Sequence, residues 1–243
     1  MVGVSASAFE AVTLPFADRA AAGRLLGARL LRLSADPAGG LSLARTVVLA
    51  LPRGGVPVGH EVAKALTVPL DVLVTRKIGY PLQPELGVGA LAEGGQPFFD
   101  EQMLAHLGLT AAALGPVVTM ERAELARRIV AYRGGRPIIA VWDKHVIVVD
   151  DGLATGVTAR AALRAARAAR AAWIVLAVPV AAPSSIRAMQ AEADLVVTLA
   201  APSAFRAVGE WYQSFGQLTD ADVIALLAAT AEPAASRAAE PPG

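Results

Sequence analysis

The chain contains no cysteine, and that absence removes disulfide frameworks, thiolate catalysis and cysteine-ligated metal sites together. Histidine is nearly as scarce. His60, His106 and His145 are scattered without metal-ligand spacing, and each reads as a surface or core residue rather than a general base. Aromatic residues make up only 5% of the 243 positions. Charge is sparing and balanced: 22 basic and 21 acidic side chains leave a formal net charge of +1, which offers no general attraction to nucleic acid or anionic lipid. No apolar stretch reaches the length of a bilayer without a charge, Gly or Pro, and the opening MVGVSASAFEAV has neither a basic n-region nor a long apolar h-region. The expectation is a cytoplasmic protein acting on small molecules, with no membrane and no nucleic-acid partner.

What is present is hydrophobic, 55% of residues, much of it alanine. The length suits one sizeable core. Short β-branched runs, TVVLAL at 46–51, LDVLVT at 70–75, PIIAVW at 137–142, VIVV at 146–149, WIVLAVPV at 173–180 and DLVVTLA at 194–200, read as buried strands. Helical patterns separate them: 16–33 with Asp18 near its start, HEVAKAL from His60, 119–132, 159–172 and a short element from Ser184. This alternation predicts an α/β fold, a right-handed doubly wound, mainly parallel sheet with helices on both faces. One domain is expected over residues 1–230, with a frayed start, DPAGG at 36–40 as a turn, and a disordered tail at 231–243.

The chain is organised around residues 145–160, HVIVVDDGLATGVTAR. A buried strand ends abruptly at Asp150 and Asp151. A small-residue turn follows through Gly152, Leu153, Ala154, Thr155 and Gly156, then Val157, with Thr158 placed to cap the next helix. Amides in such a turn, with the positive end of a helix behind them, suit a phosphate, and Thr155 and Thr158 add hydroxyls. Two carboxylates beside an anion site make sense for a ligand with phosphate at one end and hydroxyls or a metal further along, such as a sugar phosphate. The bland alternative is a strand-to-helix turn in which the aspartates merely cap. The spacing from Gly152 to Gly156 is too short for a Walker loop and no Lys precedes Thr158; nor is there a GxGxxG fingerprint with a suitably placed acid.

This strand, acid pair and TG turn resembles the ribose-phosphate loop of the type I phosphoribosyltransferases, which use phosphoribosyl pyrophosphate (PRPP). The resemblance extends to PRGGVPVG at 52–59, directly after the first core strand, where the family carries a short glycine-containing loop for pyrophosphate. It then implies that Gly54 and Gly55 approach the ligand and that Arg53 supplies charge-assisted donors. Arg76 and Lys77, expected at the end of the second strand, and Glu85 in the Gly/Pro-rich segment after it (a mobile loop or bent hairpin) would belong to a loop closing over the reaction centre. Solvated cations at a strand end are the plainer reading of that pair.

By the same resemblance the reaction displaces pyrophosphate from the ribose anomeric carbon by a nitrogenous base. Asp150 and Asp151 would hold ribose hydroxyls directly or through Mg²⁺, residues 152–158 the 5-phosphate, and Arg53 and Lys77 the pyrophosphate. A homodimer is the implied assembly. Purine-using members often carry an acid before TG, where this chain has Ala154, so the base stays open. A PRPP-sensing module without turnover is the alternative. Two further features permit two readings each. Arg160, Arg164 and Arg167 form a stripe that is either a solvated helix face or a nucleic-acid contact. Phe205, Trp211, Tyr212 and Phe215 either pack the last helix or form a C-terminal hood, residues 181–218, that stacks on the base.

Overall fold

The computed structural model describes residues 12–36 and 40–231. The expected frayed start, most of the DPAGG turn and the expected tail beyond residue 231 lie outside the described residues.

Five strands form the main sheet: β1 (Thr46–Ala50), β2 (Leu70–Val72), β6 (His145–Val149), β7 (Trp173–Val180) and β8 (Leu195–Ala200). All are parallel, in the order β2-β1-β6-β7-β8. The apolar runs are continuous because both faces are covered. On one face Val48, Ile147, Val149 and Val175 meet α1 (Arg19–Ala35) and α2 (Gly55–Leu66). On the other, Leu49, Val146, Val148 and Leu176 meet α5 (Val157–Ala168) and α6 (Pro183–Met189). The chain is therefore doubly wound, as the alternation of runs implies.

The order reverses between β1 and β6, and open α/β sheets bind ligands outside the carboxyl ends of the strands at such a point. Ala50 lies opposite Val149 in register, so the two loops that follow leave the sheet side by side.

The segment after β2 departs from expectation. LDVLVT is not one strand: β2 stops at Val72, and β3 (Thr75–Tyr80) starts a separate antiparallel sheet with β4 (Gln83–Ala92) and the two-residue β5 (Phe98–Phe99). Arg76 and Lys77 thus lie within a hairpin rather than at the end of a core strand. The hairpin is bent, with register shifts on either side of Gly79. α3 (Glu101–Leu107) and α4 (Gly115–Arg133) close over its apolar side around Ile78, Leu91 and Leu114.

PIIAVW at 137–142 forms no ladder. β6 already has a strand on each side, and the backbone of Ile139 donates instead to the carboxylate of Asp71, a fully buried residue whose other oxygen accepts from the amide of Val72. Asp71 thereby caps the sheet edge with its own side chain. α7 (Asp220–Ala231) ends the described chain. Among the described residues, no single helix is long and apolar enough to cross a membrane.

Removing the Asp71 carboxylate strands the amides of Val72 and Ile139. Asp71→Ala is expected to cost about 1–3 kcal/mol, read as a lowered midpoint of urea unfolding at unchanged slope.

Candidate active site

The site is built where β1 and β6 end. After β1, Leu51 donates to Val149 of β6 at 2.8 Å, carrying the alignment one residue past the sheet. The loop is shorter than PRGGVPVG suggests, because α2 already begins at Gly55. Its two glycines answer to contact rather than to unusual dihedrals. A Cβ on Gly54 would stand 2.0 Å from Asp151 Oδ2, and one on Gly55 2.6 Å from the carbonyl oxygen of Val149. The structure thus brings Gly54 and Gly55 against Asp150 and Asp151.

The turn after β6 is anchored on one side and open on the other. Leu153 is buried, its amide donates to Val180 at 2.9 Å and its carbonyl accepts from Ala182. This amide is therefore committed to the sheet, which corrects the expectation that the whole run from Gly152 to Thr158 faces a ligand. Ser185 pins the carbonyl of Ala154. Beyond it the amides of Ala154, Thr155, Gly156, Val157 and Thr158 make no hydrogen bond among the described residues, and neither do the hydroxyls of Thr155 and Thr158. Thr158 does not cap α5. The N-cap is Gly156, at φ +75, without any side-chain cap. A left-handed residue there turns the chain just before the helix, leaving five amides unpaired among the described residues next to the positive end of the helix dipole.

The acid pair is asymmetric. Among the described residues, Asp150 accepts only the amide of Asp151, at 2.9 Å. Burial, and then the charge of Asp151, pushes its carboxyl well above the usual carboxylate range. Burial raises Asp151 as well, but Arg19 opposes it: Arg19 Nε donates to Asp151 Oδ2 at 2.7 Å. Arg19 carried no motif and sequence reasoning missed it; its position one residue after Asp18, the true N-cap of α1, was the only hint.

Each cation expected at the site meets a carboxylate. Arg53 lies 3.8 Å from Asp220, which also accepts from Tyr132 at 2.7 Å and from Arg127 at 3.2 Å. Burial, followed by that hydrogen bond to Asp220, pushes the Tyr132 hydroxyl up to about 12. Arg76 donates to Glu121 of α4 at 2.6 Å, and Lys77 to the backbone of Glu85 at 2.8 Å. Neither Arg76 nor Lys77 bonds to either loop.

The arginine stripe of α5 is spent inside the chain. Arg164 pairs with Glu192, Arg167 with Asp194, and Arg160 and Arg164 lie over the ring of Phe98. Of the span expected to form the hood, α6 and β8 belong to the main sheet and its covering layer. The aromatic cluster packs with Phe16, and Tyr212 is 5% exposed with its hydroxyl on the carbonyl of Asp151.

A family model described as the phosphoribosyl transferase domain matches residues 28–210. The chain belongs to that family. A crystal structure of the Thermus thermophilus protein TT1426 superposes on this phosphoribosyl transferase domain with a TM-score of 0.72 at 40% identity, covering 87% of this chain and 97% of that one. Proteins provisionally named phosphoribosyl transferases from two strains of Mycobacterium tuberculosis are 45% identical over 212 residues, 87% of this chain. The match covers 46% of each, so the chain spans about half the length of these curated relatives.

Two outcomes test the site. Gly54→Ala drives a methyl group into a carboxylate that Arg19 holds, and is expected to cost about 1–3 kcal/mol in chemical denaturation. Asp150 bears on pH. Between the unfolded carboxyl value of about 3.9 and its raised folded value, the native state keeps a proton that the unfolded chain has released, so stability falls as pH rises through that window. Asp150→Asn in chelator-treated buffer should raise Tm near neutral pH, by the equivalent of about 1–2 kcal/mol, with the gap closing toward about pH 4. A gap that ignores pH would show that burial of this charge does not govern stability.

Proposed function

We propose that the domain transfers the 5-phosphoribosyl group from PRPP to a nitrogenous base with release of pyrophosphate. One observation carries the reading: five consecutive amides leading into α5, from Ala154 to Thr158, are unpaired among the described residues and follow two half-buried carboxylates, two residues on, at the point where strand order reverses. Phosphate is what such amides bind, and ribose hydroxyls are what adjacent carboxylates accept from.

In this reading residues 154–158 grip the 5-phosphate and fix the sugar. Asp150 and Asp151 accept from the ribose hydroxyls and face the positive charge that develops on the ring as the anomeric bond to pyrophosphate lengthens. Arg53 leaves Asp220 to pair with the departing pyrophosphate. Lys77 and Arg76, carried on the β3–β4 hairpin, reach the same group only if the hairpin moves and their bonds to Glu85 and Glu121 exchange. The base nitrogen bonds to the anomeric carbon as the carbon–oxygen bond to pyrophosphate breaks, and both electrons of that bond leave with pyrophosphate.

Magnesium fits the donor set. Among the described residues, no group of three or more His, Cys, Asp or Glu is placed to hold a metal, so the ion would rely on the acid pair, water and ligand oxygens, which is how Mg²⁺ is usually bound. Asp150, half-buried and without an ion-pair partner among the described residues, is the carboxylate that most needs a cation. Bound there, Mg²⁺ would offset charge on ribose and pyrophosphate oxygens.

A second reading, a module that senses PRPP without turnover, draws on the aromatic cluster. Its rings pack on one another and on Phe16: Tyr212 stacks on Phe215 at 5.1 Å and Phe205 on Trp211 at 6.2 Å. The deciding experiment supplies PRPP and Mg²⁺ with a panel of purine and pyrimidine bases and follows pyrophosphate. Base-dependent release, reduced about tenfold or more in Arg53→Ala, supports transfer. PRPP binding by calorimetry with no release for any base supports the sensor. Absence of PRPP binding overturns both.

A further inference from the structure

Arg19 is over-fixed for a helix-start residue. Its Nε holds Asp151 Oδ2 at 2.7 Å with side chains only 12% and 14% exposed, and its Nη1 donates to the carbonyl of Gly216 at 2.9 Å. The guanidinium carbon stands 3.7 Å above the ring of Phe215. Phe215 in turn stacks on Tyr212, whose hydroxyl donates to the backbone carbonyl of Asp151 at 2.5 Å. Two segments 197 residues apart in sequence thus converge on one ion pair, while Asp150 beside it forms no ion pair among the described residues and meets Arg19 only through its more distant charge.

We infer that Arg19 is a built-in counter-cation for Asp151, which leaves Asp150 as the one carboxylate of the pair that takes a divalent metal. The inference rests on the proposed metal reading of the acid pair and assigns its two members different work. A carboxylate oxygen already holding a guanidinium has little charge left to offer. A divalent ion drawn to Asp151 would also face Arg19 across a few ångströms of poorly screened space. The aromatic strap thereby acquires a purpose other than stacking on a base: it seats Arg19. Arginine suits the position because its planar fork makes the carboxylate bond, the carbonyl bond and the ring contact at once, whereas an ammonium can supply the charge but not the same geometry. Arg19 is a positioning residue, acting on ligand and metal through Asp151.

Mn²⁺ binding to the full chain, without PRPP, tests the inference by electron paramagnetic resonance of the free ion. Arg19→Met should bind Mn²⁺ about fivefold or more tightly than the unaltered protein, since Asp151 is released, and Arg19→Lys should stay near the unaltered value. A role confined to folding would leave the Met variant equal or weaker, and that result overturns the inference. Asp151→Asn and Asp150→Asn give an independent reading that does not require the Met variant to fold. Mn²⁺ affinity should survive the first within about twofold and be lost in the second. Loss in Asp151→Asn with retention in Asp150→Asn overturns the inference while leaving the metal reading in place. No Mn²⁺ binding by the unaltered protein or by any variant overturns both.

Discussion

Backbone meets carboxylate where β1 and β6 end, and the site depends on how little room is left there. Ala50 and Val149 are paired in a parallel ladder, so the chain leaves both strands in the same direction with only the width of a strand pair between the two exits. Gly54 and Gly55 fill that width without side chains; a methyl group at either would overlap Asp151 or the end of β6. The other properties of the site follow from this contact. The acid pair is partly covered because the first loop lies against it.

Burying two adjacent acids is costly, and the chain answers unevenly. The Asp151 carboxylate receives Arg19, and its backbone carbonyl receives Tyr212, whereas the Asp150 carboxylate receives one backbone amide. The basic side chains expected at the site are likewise provided with carboxylates: Arg53 with Asp220, Arg76 with Glu121, Lys77 with Glu85. A polyanionic ligand of the kind proposed would therefore gain its contacts by exchange, trading internal pairs for its own oxygens. Exchange of this kind lowers the net energy of binding relative to the sum of the contacts made, and favours ligands charged at several points over a single phosphate.

The central sheet could be read from sequence because parallel strands covered on both faces must be apolar throughout, and each of its five strands lies in one of the apolar runs. The turn after β6 was equally legible: an abrupt change from VIVV to DDG, then small residues, ends the strand and leads into α5. Legibility failed where a neighbour decides. PIIAVW has strand composition, but β6 had no free edge to offer it. Arg76 and Lys77 looked like a strand terminus because LDVLVT is continuous in hydrophobicity; the break at Val72 is set by the edge cap of Asp71 and the onset of hairpin pairing. The aromatic cluster was recognised, but not what it packs around. Arg19 was invisible, since nothing local in FADRAAAG signals a partner 132 residues away.

The family match runs from residue 28 to residue 210, and Arg19, Tyr212, Phe215 and Gly216 all fall outside it. A protein trimmed to those limits would keep the glycine pair, both aspartates and the α5 amides, yet would expose an acid pair stripped of its only guanidinium among the described residues. The domain's structural boundary is therefore wider than its signature, since the ion pair on Asp151 is made from outside residues 28–210.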